Sequence, residues 1–355
     1  MSRYLIDKYR ALEAYTPGEQ PRDMRYVKLN TNESPYPPAP GVVEAATKEA
    51  ARAQLYSDPM CADLRDALAE RYGVKRANVF VSNGSDDILN FAFMAFAGAG
   101  VPAYFPDISY GFYKVYAALH GIEARPVPLK QDFSIDPVDY KNLDGFIAIA
   151  NPNAPTGMAL TRDQVEGIVA SNPGHVVLID EAYVDFGAQS CLPLVEKYDN
   201  LLVVQTFSKS RGLAGARLGY AIAQEGVISD LERIKYSTNP YSVNRMTQAA
   251  GVASLKRDDY NADNCRRIVK TREHAVAQLN ALGFEVLPSQ ANFVFARKLG
   301  VDGGWLYREL KAKGVLVRHF DSPRIADFLR ITIGAEEEMA VLMLKLKEIL
   351  SGQEG

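Results

Sequence analysis

The sequence predicts an α/β fold: a large domain with a mostly parallel sheet flanked by helices, and a smaller α/β C-terminal domain that packs an N-terminal arm. Three observations carry this. Short, continuous apolar runs recur, as in Phe146-Ile147-Ala148-Ile149, Val176-Val177-Leu178-Ile179 and Val203-Val204. Runs of that length with no polar face are strands buried on both sides. Stretches of helical periodicity separate them, and a strand joined to the next through a helix runs parallel to it. Finally, the texture changes after Pro240, where long helical stretches precede short strands.

The elements follow in chain order. Residues 1–40 are rich in Pro, Tyr and Asn, and the prolines of Ser34-Pro35-Tyr36-Pro37-Pro38 cannot continue a helix because they lack N–H groups. This reads as an extended arm, either a surface strap or a segment crossing an active site or a partner subunit. Residues 41–238 form the large domain. Val79-Phe80-Val81 is a strand, and Ser85 caps the helix that follows through Ile88, Leu89, Phe91 and Phe96. Pro102 to Phe105 is a strand, then a helix runs from about Tyr110 to Leu119. Thr161 and Gln164 have capping-box spacing at the next helix start. Leu218 to Ile222 is a further strand. Residues 239–355 form the smaller domain: helices to about Leu282, strands at Phe284–Val286, Asn292–Ala296, Val315–Arg318 and Phe328–Ile333, and an amphipathic helix from about Ala335 to Leu350.

Composition narrows the function classes. The chain has 355 residues, 47% hydrophobic and 23% charged, as expected of a globular protein with a sizeable core. A net charge of −3 without a long basic block argues against a nucleic-acid partner. Asp7, Lys8 and Arg10 stand where a signal peptide would be apolar, and no run approaches bilayer length. The three cysteines are scattered and form no CxxC pair, which suggests neither a zinc site nor a disulfide framework and fits a cytoplasmic setting.

The chemistry gathers at strand ends. In open α/β sheets ligands sit at the carboxyl edge. Lys209 lies there in Thr206-Phe207-Ser208-Lys209, and Asp180 ends another apolar run with Tyr183 three residues on. A buried carboxylate needs a partner. A lysine, an acid for a pyridinium nitrogen and hydroxyls for a phosphate are what pyridoxal phosphate asks of a protein. Burial and neighbouring positive charge lower a lysine's pKa, and Arg211 and Arg217 are candidate neighbours of Lys209. Asn83-Gly84-Ser85-Asp86 opens a helix, where backbone N–H groups bind anions. Thr206, Ser208 and the fork of Arg217 add to that anion site. Asn151 to Gly157 is a rigid turn on the same edge and a candidate pocket wall. Arg330, on a short apolar strand, suits a carboxylate. Taken singly, each has a plain structural alternative: a surface lysine, a cap, a core tyrosine, an edge salt bridge.

In order, these motifs resemble the fold-type I pyridoxal phosphate aminotransferases, and within them the histidinol-phosphate aminotransferase family. The likeness rests on Lys28-Leu29-Asn30-Thr31-Asn32-Glu33-Ser34-Pro35, Asn83-Gly84-Ser85-Asp86-Asp87, Asn153-Ala154-Pro155-Thr156-Gly157, Asp180-Glu181-Ala182-Tyr183, Thr206-Phe207-Ser208-Lys209, Leu213 to Tyr220, and Leu329-Arg330-Ile331-Thr332-Ile333-Gly334. It implies that Lys209 carries the cofactor and shuttles a proton. Asp180 would pair with the pyridine nitrogen, Tyr183 with the phenolic oxygen, and Tyr110 would stack on the ring. Gly84, Ser85, Asp86, Thr206, Ser208 and Arg217 would hold the phosphate, with Tyr56 reaching it from the second subunit of a homodimer. Arg330 would grip a substrate carboxylate. Tyr15, Asn32 and Arg318 would face the substrate, Arg318 toward a second substrate's phosphate. The chain departs from the family at Ala154, where an Asn would bond the phenolic oxygen. Either Tyr183 carries that contact alone or Asn153 replaces it, and one such bond is worth about 0.5–1.5 kcal/mol. Asp87 also stands where the family often has Glu. The implied reaction is ping-pong transamination between glutamate and histidinol phosphate. Rivals are an aromatic aminotransferase, a threonine-phosphate decarboxylase, or a cofactor-binding protein without turnover.

Overall fold

The computed structural model describes residues 2–352. The arm holds a short helix α1 (Asp7–Arg10) and a strand β1 (Val27–Lys28), so it is not extended throughout. Then follow α2 (Val42–Ala50), α3 (Ala62–Tyr72), β2 (Val79–Ser82), α4 (Ser85–Phe96), β3 (Ala103–Pro106), α5 (Phe112–His120), β4 (Ala124–Val127), β5 (Phe146–Ala150), α6 (Arg162–Ala170), β6 (Val177–Asp180), β7 (Leu201–Thr206) and β8 (Gly219–Ile222). The rest comprises α7 (Glu225–Thr238), α8 (Arg245–Leu255), α9 (Asp258–Ala281), β9 (Phe284–Val286), β10 (Phe293–Lys298), α10 (Gly303–Ala312), β11 (Val315–Leu316), β12 (Arg318–His319), β13 (Leu329–Thr332) and α11 (Glu336–Ser351).

Seven strands form the main sheet in the order β2-β8-β7-β6-β5-β3-β4. Neighbours pair parallel from β7 to β4, and β8 alone runs against its neighbours β2 and β7. Both faces are buried, as the apolar runs require. Ile147, Ile149, Ile179 and Val203 fill one side; Phe146, Ala148, Leu178 and Val204 fill the other. The second sheet, order β12-β13-β10-β9, is antiparallel and packs on α9, α10 and α11 through Phe293, Leu310, Ile331 and Leu346.

Two local expectations are corrected. The stretch Val315–Arg318 belongs to two strands, not one. Val315 and Leu316 pair parallel with Val27 and Lys28 of the arm, whereas Arg318 and His319 pair with Arg330 and Leu329 of β13. The arm is thus joined to the C-terminal part of the chain through β11. Ser85 is the first residue of α4 and not its cap. Gly84 occupies the cap position with φ 86°, and no side chain bonds the helix end. At Thr161 and Gln164 the reciprocal capping box does form.

Candidate active site

The carboxyl ends of β5, β6 and β7 and the start of α4 converge on one cavity. Ser85, Asp86, Tyr110, Asp180, Tyr183, Thr206, Ser208, Lys209 and Arg217 all line it, with Ala154 in its wall. Residues from six separate stretches of sequence therefore meet because parallel strands end on the same edge.

Lys209 Nζ donates to the backbone oxygen of Thr31 at 3.1 Å and lies 5.8 Å from the centroid of the Tyr183 ring. Burial pushes its pKa down to about 8, Arg330 and Arg217 push the same way, and Asp86 and Glu33 oppose them. Arg211, an expected neighbour, does not contribute. It points away, donating to Asp258 at 2.9 Å and to the Ser254 carbonyl at 3.3 Å. Asp180 accepts from Tyr113 Oη at 3.2 Å and from the Ala182 N–H at 3.1 Å. Burial nevertheless raises its carboxyl to about 6, against the pull of those two bonds and of Lys209. It is a buried acid with hydrogen bonds and no ion pair, as a site for an incoming cation should be.

The anion end is built from backbone. Gly84 turns with positive φ, and a Cβ there would lie 2.6 Å from Arg217 Nη2. Arg217 itself has φ 54°. The Asp86 carboxylate takes Arg217 Nη2 and the Tyr110 hydroxyl, each at 2.6 Å. A carboxylate repels a phosphate, so Asp86 can serve the anion only through its N–H and by aiming Arg217. Thr206 Oγ1 accepts the Ser208 N–H at 3.1 Å, which fixes the hydroxyl turn before Lys209.

The remaining expected residues stand around this cavity. Asn153 is spent joining its own loop to the segment between β3 and α5, donating to Ile108 O and Thr156 Oγ1 and accepting from Ser109. It is 1% exposed and cannot substitute for the missing amide at Ala154. Asn32, expected to face substrate, is fully buried and donates through Nδ2 to Tyr183 Oη at 3.0 Å. Arg330 donates to the Asn30 carbonyl at 3.0 Å between the rings of Phe293 and Phe320, and its buried Nε has no partner. Arg318 lines a neighbouring cavity and spends two N–H groups on Thr16 O and Pro17 O, at 3.0 and 3.2 Å. Tyr15 stacks on Phe112 at 4.1 Å beside Tyr110. Burial raises its hydroxyl, and Arg330 and Arg318 are both near enough to pull it back. Tyr56 is 80% exposed, stacked on Tyr241 and absent from the cavity wall.

Sequence reasoning missed Tyr113, Thr31 and Glu33. Tyr113 is fully buried on α5 and reads as core, and Thr31 contributes through its backbone. Only the nearness of Thr31 and Glu33 to Asn32 in one motif could have flagged them.

The pattern of class I and II aminotransferases matches residues 25–346. The chain belongs to that family. It is 50% identical over 352 residues to the histidinol-phosphate aminotransferase of Brachyspira hyodysenteriae, covering 99% of both chains. The same identity holds over 353 residues to the histidinol-phosphate aminotransferase of Marinomonas sp., covering 98% of this chain and all of the other. Among solved structures, histidinol-phosphate aminotransferase from Sinorhizobium meliloti, in complex with pyridoxal-5'-phosphate, superimposes with a TM-score of 0.84 at 26% identity, over 93% of this chain and 92% of that one. The family places the doubly oriented sheet and the strand-end cavity in a known fold class.

Proposed function

We propose that the chain is a pyridoxal phosphate-dependent aminotransferase of histidine biosynthesis, interconverting histidinol phosphate and imidazole acetol phosphate with glutamate and 2-oxoglutarate as the other pair. The observation that carries this is the opposed pair in one cavity: an amine brought down to about 8 and an acid brought up to about 6. The cavity residues fit the cofactor. Asp180 lacks a cation that a protonated ring nitrogen would supply, and the Gly84-Ser85 turn with Arg217 offers N–H groups and a guanidinium to a phosphate. When bound, pyridoxal phosphate would supply an aldehyde that takes the amino group and an electron-poor ring that takes up the electron pair of the broken Cα–H bond.

The chain's own residues divide the remaining work. Lys209, partly neutral near pH 8, can take and return a proton at substrate Cα. Asp180, held by Tyr113 and the Ala182 N–H, is fixed as the carboxylate that would pair with a protonated ring nitrogen. Tyr183 offers a phenol beside Lys209. Tyr15, Tyr110 and Phe112 form a contiguous aromatic group at the cavity, whose wall Tyr110 supplies.

Substrate recognition rests on two arginines. Arg318 and Arg330 are directly opposed in the β12–β13 ladder. Like charges so placed are unfavourable until an anion joins them. Arg330, with its unpartnered Nε, suits the carboxylate of glutamate. Arg318 suits a phosphate that displaces the arm carbonyls now holding it. The active unit in this reading is a cytoplasmic homodimer. Its support is the exposed cluster of Leu55, Tyr56, Met60 and Tyr241, which a second copy would cover, and three buried free cysteines.

Single-turnover absorbance of the cofactor-loaded protein, mixed with histidinol phosphate or with phenylalanine, tests the assignment. Histidinol phosphate is expected to bleach the band at far lower concentration, and Arg318→Ala to remove that preference. Equal response to phenylalanine would make it an aromatic aminotransferase. Release of CO2 from a phosphorylated amino acid would make it a decarboxylase.

A further inference from the structure

Asn32 and Tyr183 are 151 positions apart and joined by one buried hydrogen bond, Asn32 Nδ2 to Tyr183 Oη at 3.0 Å. Asn32 is fixed from several sides. Its backbone N–H donates to Thr332 Oγ1 at 3.0 Å, its Oδ1 accepts from the same hydroxyl at 3.0 Å, and its carbonyl accepts from Asn292 Nδ2 at 3.0 Å. Its φ of 56° lies in the left-handed region, which Asn tolerates better than other residues with a Cβ.

A hydroxyl has one proton to give. Thr332 Oγ1 already accepts the Asn32 N–H, and the acceptor available for its own proton is Asn32 Oδ1. The oxygen end of the amide is therefore turned to Thr332, and the NH2 end to Tyr183. A donor against the phenol oxygen leaves the phenol proton to point elsewhere. The open direction is the cavity, which Tyr183 lines together with Lys209. The ring is otherwise fixed edge-on to Phe293 at 5.0 Å.

We propose that Asn32 and Thr332 are positioning residues, a relay that holds the Tyr183 phenol as a hydrogen-bond donor into the cavity, toward the cofactor oxygen beside the Lys209 nitrogen. The inference rests on the cofactor reading above. It gives Asn32 a role in orienting the cofactor site in place of contact with substrate. It also accounts for tolerance of Ala154: the phenol, locked in one direction, carries alone what an amide in the loop would share. Thr332 and Asn32 are buried and, unlike Tyr183, do not line the cavity.

The test is a spectrophotometric pH titration of the visible band of the cofactor-loaded protein. A donor to the cofactor's anionic oxygen favours the deprotonated chromophore, so losing it moves the midpoint up. Tyr183→Phe should show the full shift. Thr332→Val, which keeps the shape of the buried side chain, and Asn32→Gly, which adopts the same left-handed backbone and removes the amide without adding a charge, should each move the midpoint up by about half to one unit. Both effects should vanish in the Tyr183→Phe background. The charged groups nearest Tyr183, namely Arg330 on β13, Asp180 on β6, Asp86 on α4 and Lys209, are unchanged in all variants. Midpoints equal to the parent's in Thr332→Val and Asn32→Gly, or shifts that persist without the phenol, overturn the relay and leave the aminotransferase reading intact. A parent protein that shows no band with pyridoxal phosphate overturns both.

Discussion

Lys209 and Asp180 are displaced from their ordinary ionisation in opposite directions, and each displacement has a measurable consequence. The amine falls to about 8 chiefly by burial. Capture of pyridoxal phosphate by the cofactor-free protein should rise with pH with a midpoint near 8, where an exposed lysine would give about 10.4. Stopped-flow growth of the visible band reads this directly, and Lys209→Ala should show no such phase. Asp180 has a folded value of about 6 against an ordinary 3.8. The folded, cofactor-free protein then binds more protons than the unfolded chain between those values, so this residue's contribution to stability falls as pH rises through that window. Asp180→Asn should leave the cofactor-free protein at least as stable as the parent at pH 8, by calorimetry. Its turnover should drop on the order of a hundredfold or more, the scale of losing a preorganised electrostatic partner. A variant that lost stability at pH 8 would contradict the first expectation. At this scale, what the sequence shows is residue type at a strand end. Lys209, Asp180, Thr206 and Arg217 were legible because apolar runs stop at or near them. Tyr113 was not, since a tyrosine inside an apolar helix face looks the same whether its hydroxyl meets a carboxylate or nothing.

Elements were legible where one burial pattern spans a whole segment. The runs of β5, β6 and β7 are apolar on both faces and could be nothing but interior strands. The run Val315-Leu316-Val317 is equally apolar, yet the chain changes partners at Val317 because the arm pairs with its first half. No local pattern reports a competitor almost 290 residues upstream. The start of α4 failed for a related reason. A serine before a helix predicts a cap, but the close passage of β8 decides the geometry. A Cβ on Gly219 would lie 2.3 Å from the Ser85 nitrogen and 2.5 Å from the Gly84 carbonyl carbon. These are backbone atoms and cannot swing aside. Gly219→Ala should therefore destabilise the protein by about 1–3 kcal/mol. It should also weaken cofactor binding, because the displaced Ser85 N–H belongs to the anion site. Urea midpoints and cofactor dissociation constants measure both. A variant with the parent's midpoint would show that the crossing of β8 over the α4 start is looser than this geometry.

At the scale of the whole molecule, the arm and the exposed aromatic cluster both point beyond one chain's large domain. The arm is anchored by β1 on β11 and by Glu19, which takes the Tyr307 hydroxyl and the Lys311 ammonium of α10. That brings Tyr15 over the cavity and presents Thr16 and Pro17 carbonyls to Arg318. Tyr56 is different. Its backbone carbonyl is held by Arg245 Nη1 at 2.8 Å, its ring lies on Tyr241 at 4.6 Å, and its hydroxyl has no place in its own chain's cavity. If a homodimer places it against the partner's phosphate site, lesions at Tyr56 and Lys209 must complement. A chain with Tyr56→Ala still offers an intact Lys209, and a chain with Lys209→Ala still offers an intact Tyr56. In the mixed dimer one site then carries both lesions and the other carries none. Equal mixing after unfolding and refolding should restore about a quarter of the parent's activity at limiting cofactor, since half the dimers are mixed and each has one sound site. If Tyr56 served its own chain, every site in the mixed dimer would carry one lesion and no activity would return. With the residual activity of the Tyr56→Ala dimer measured and subtracted, the recovery separates a shared site from a self-contained one, because Lys209→Ala alone is expected to be inactive.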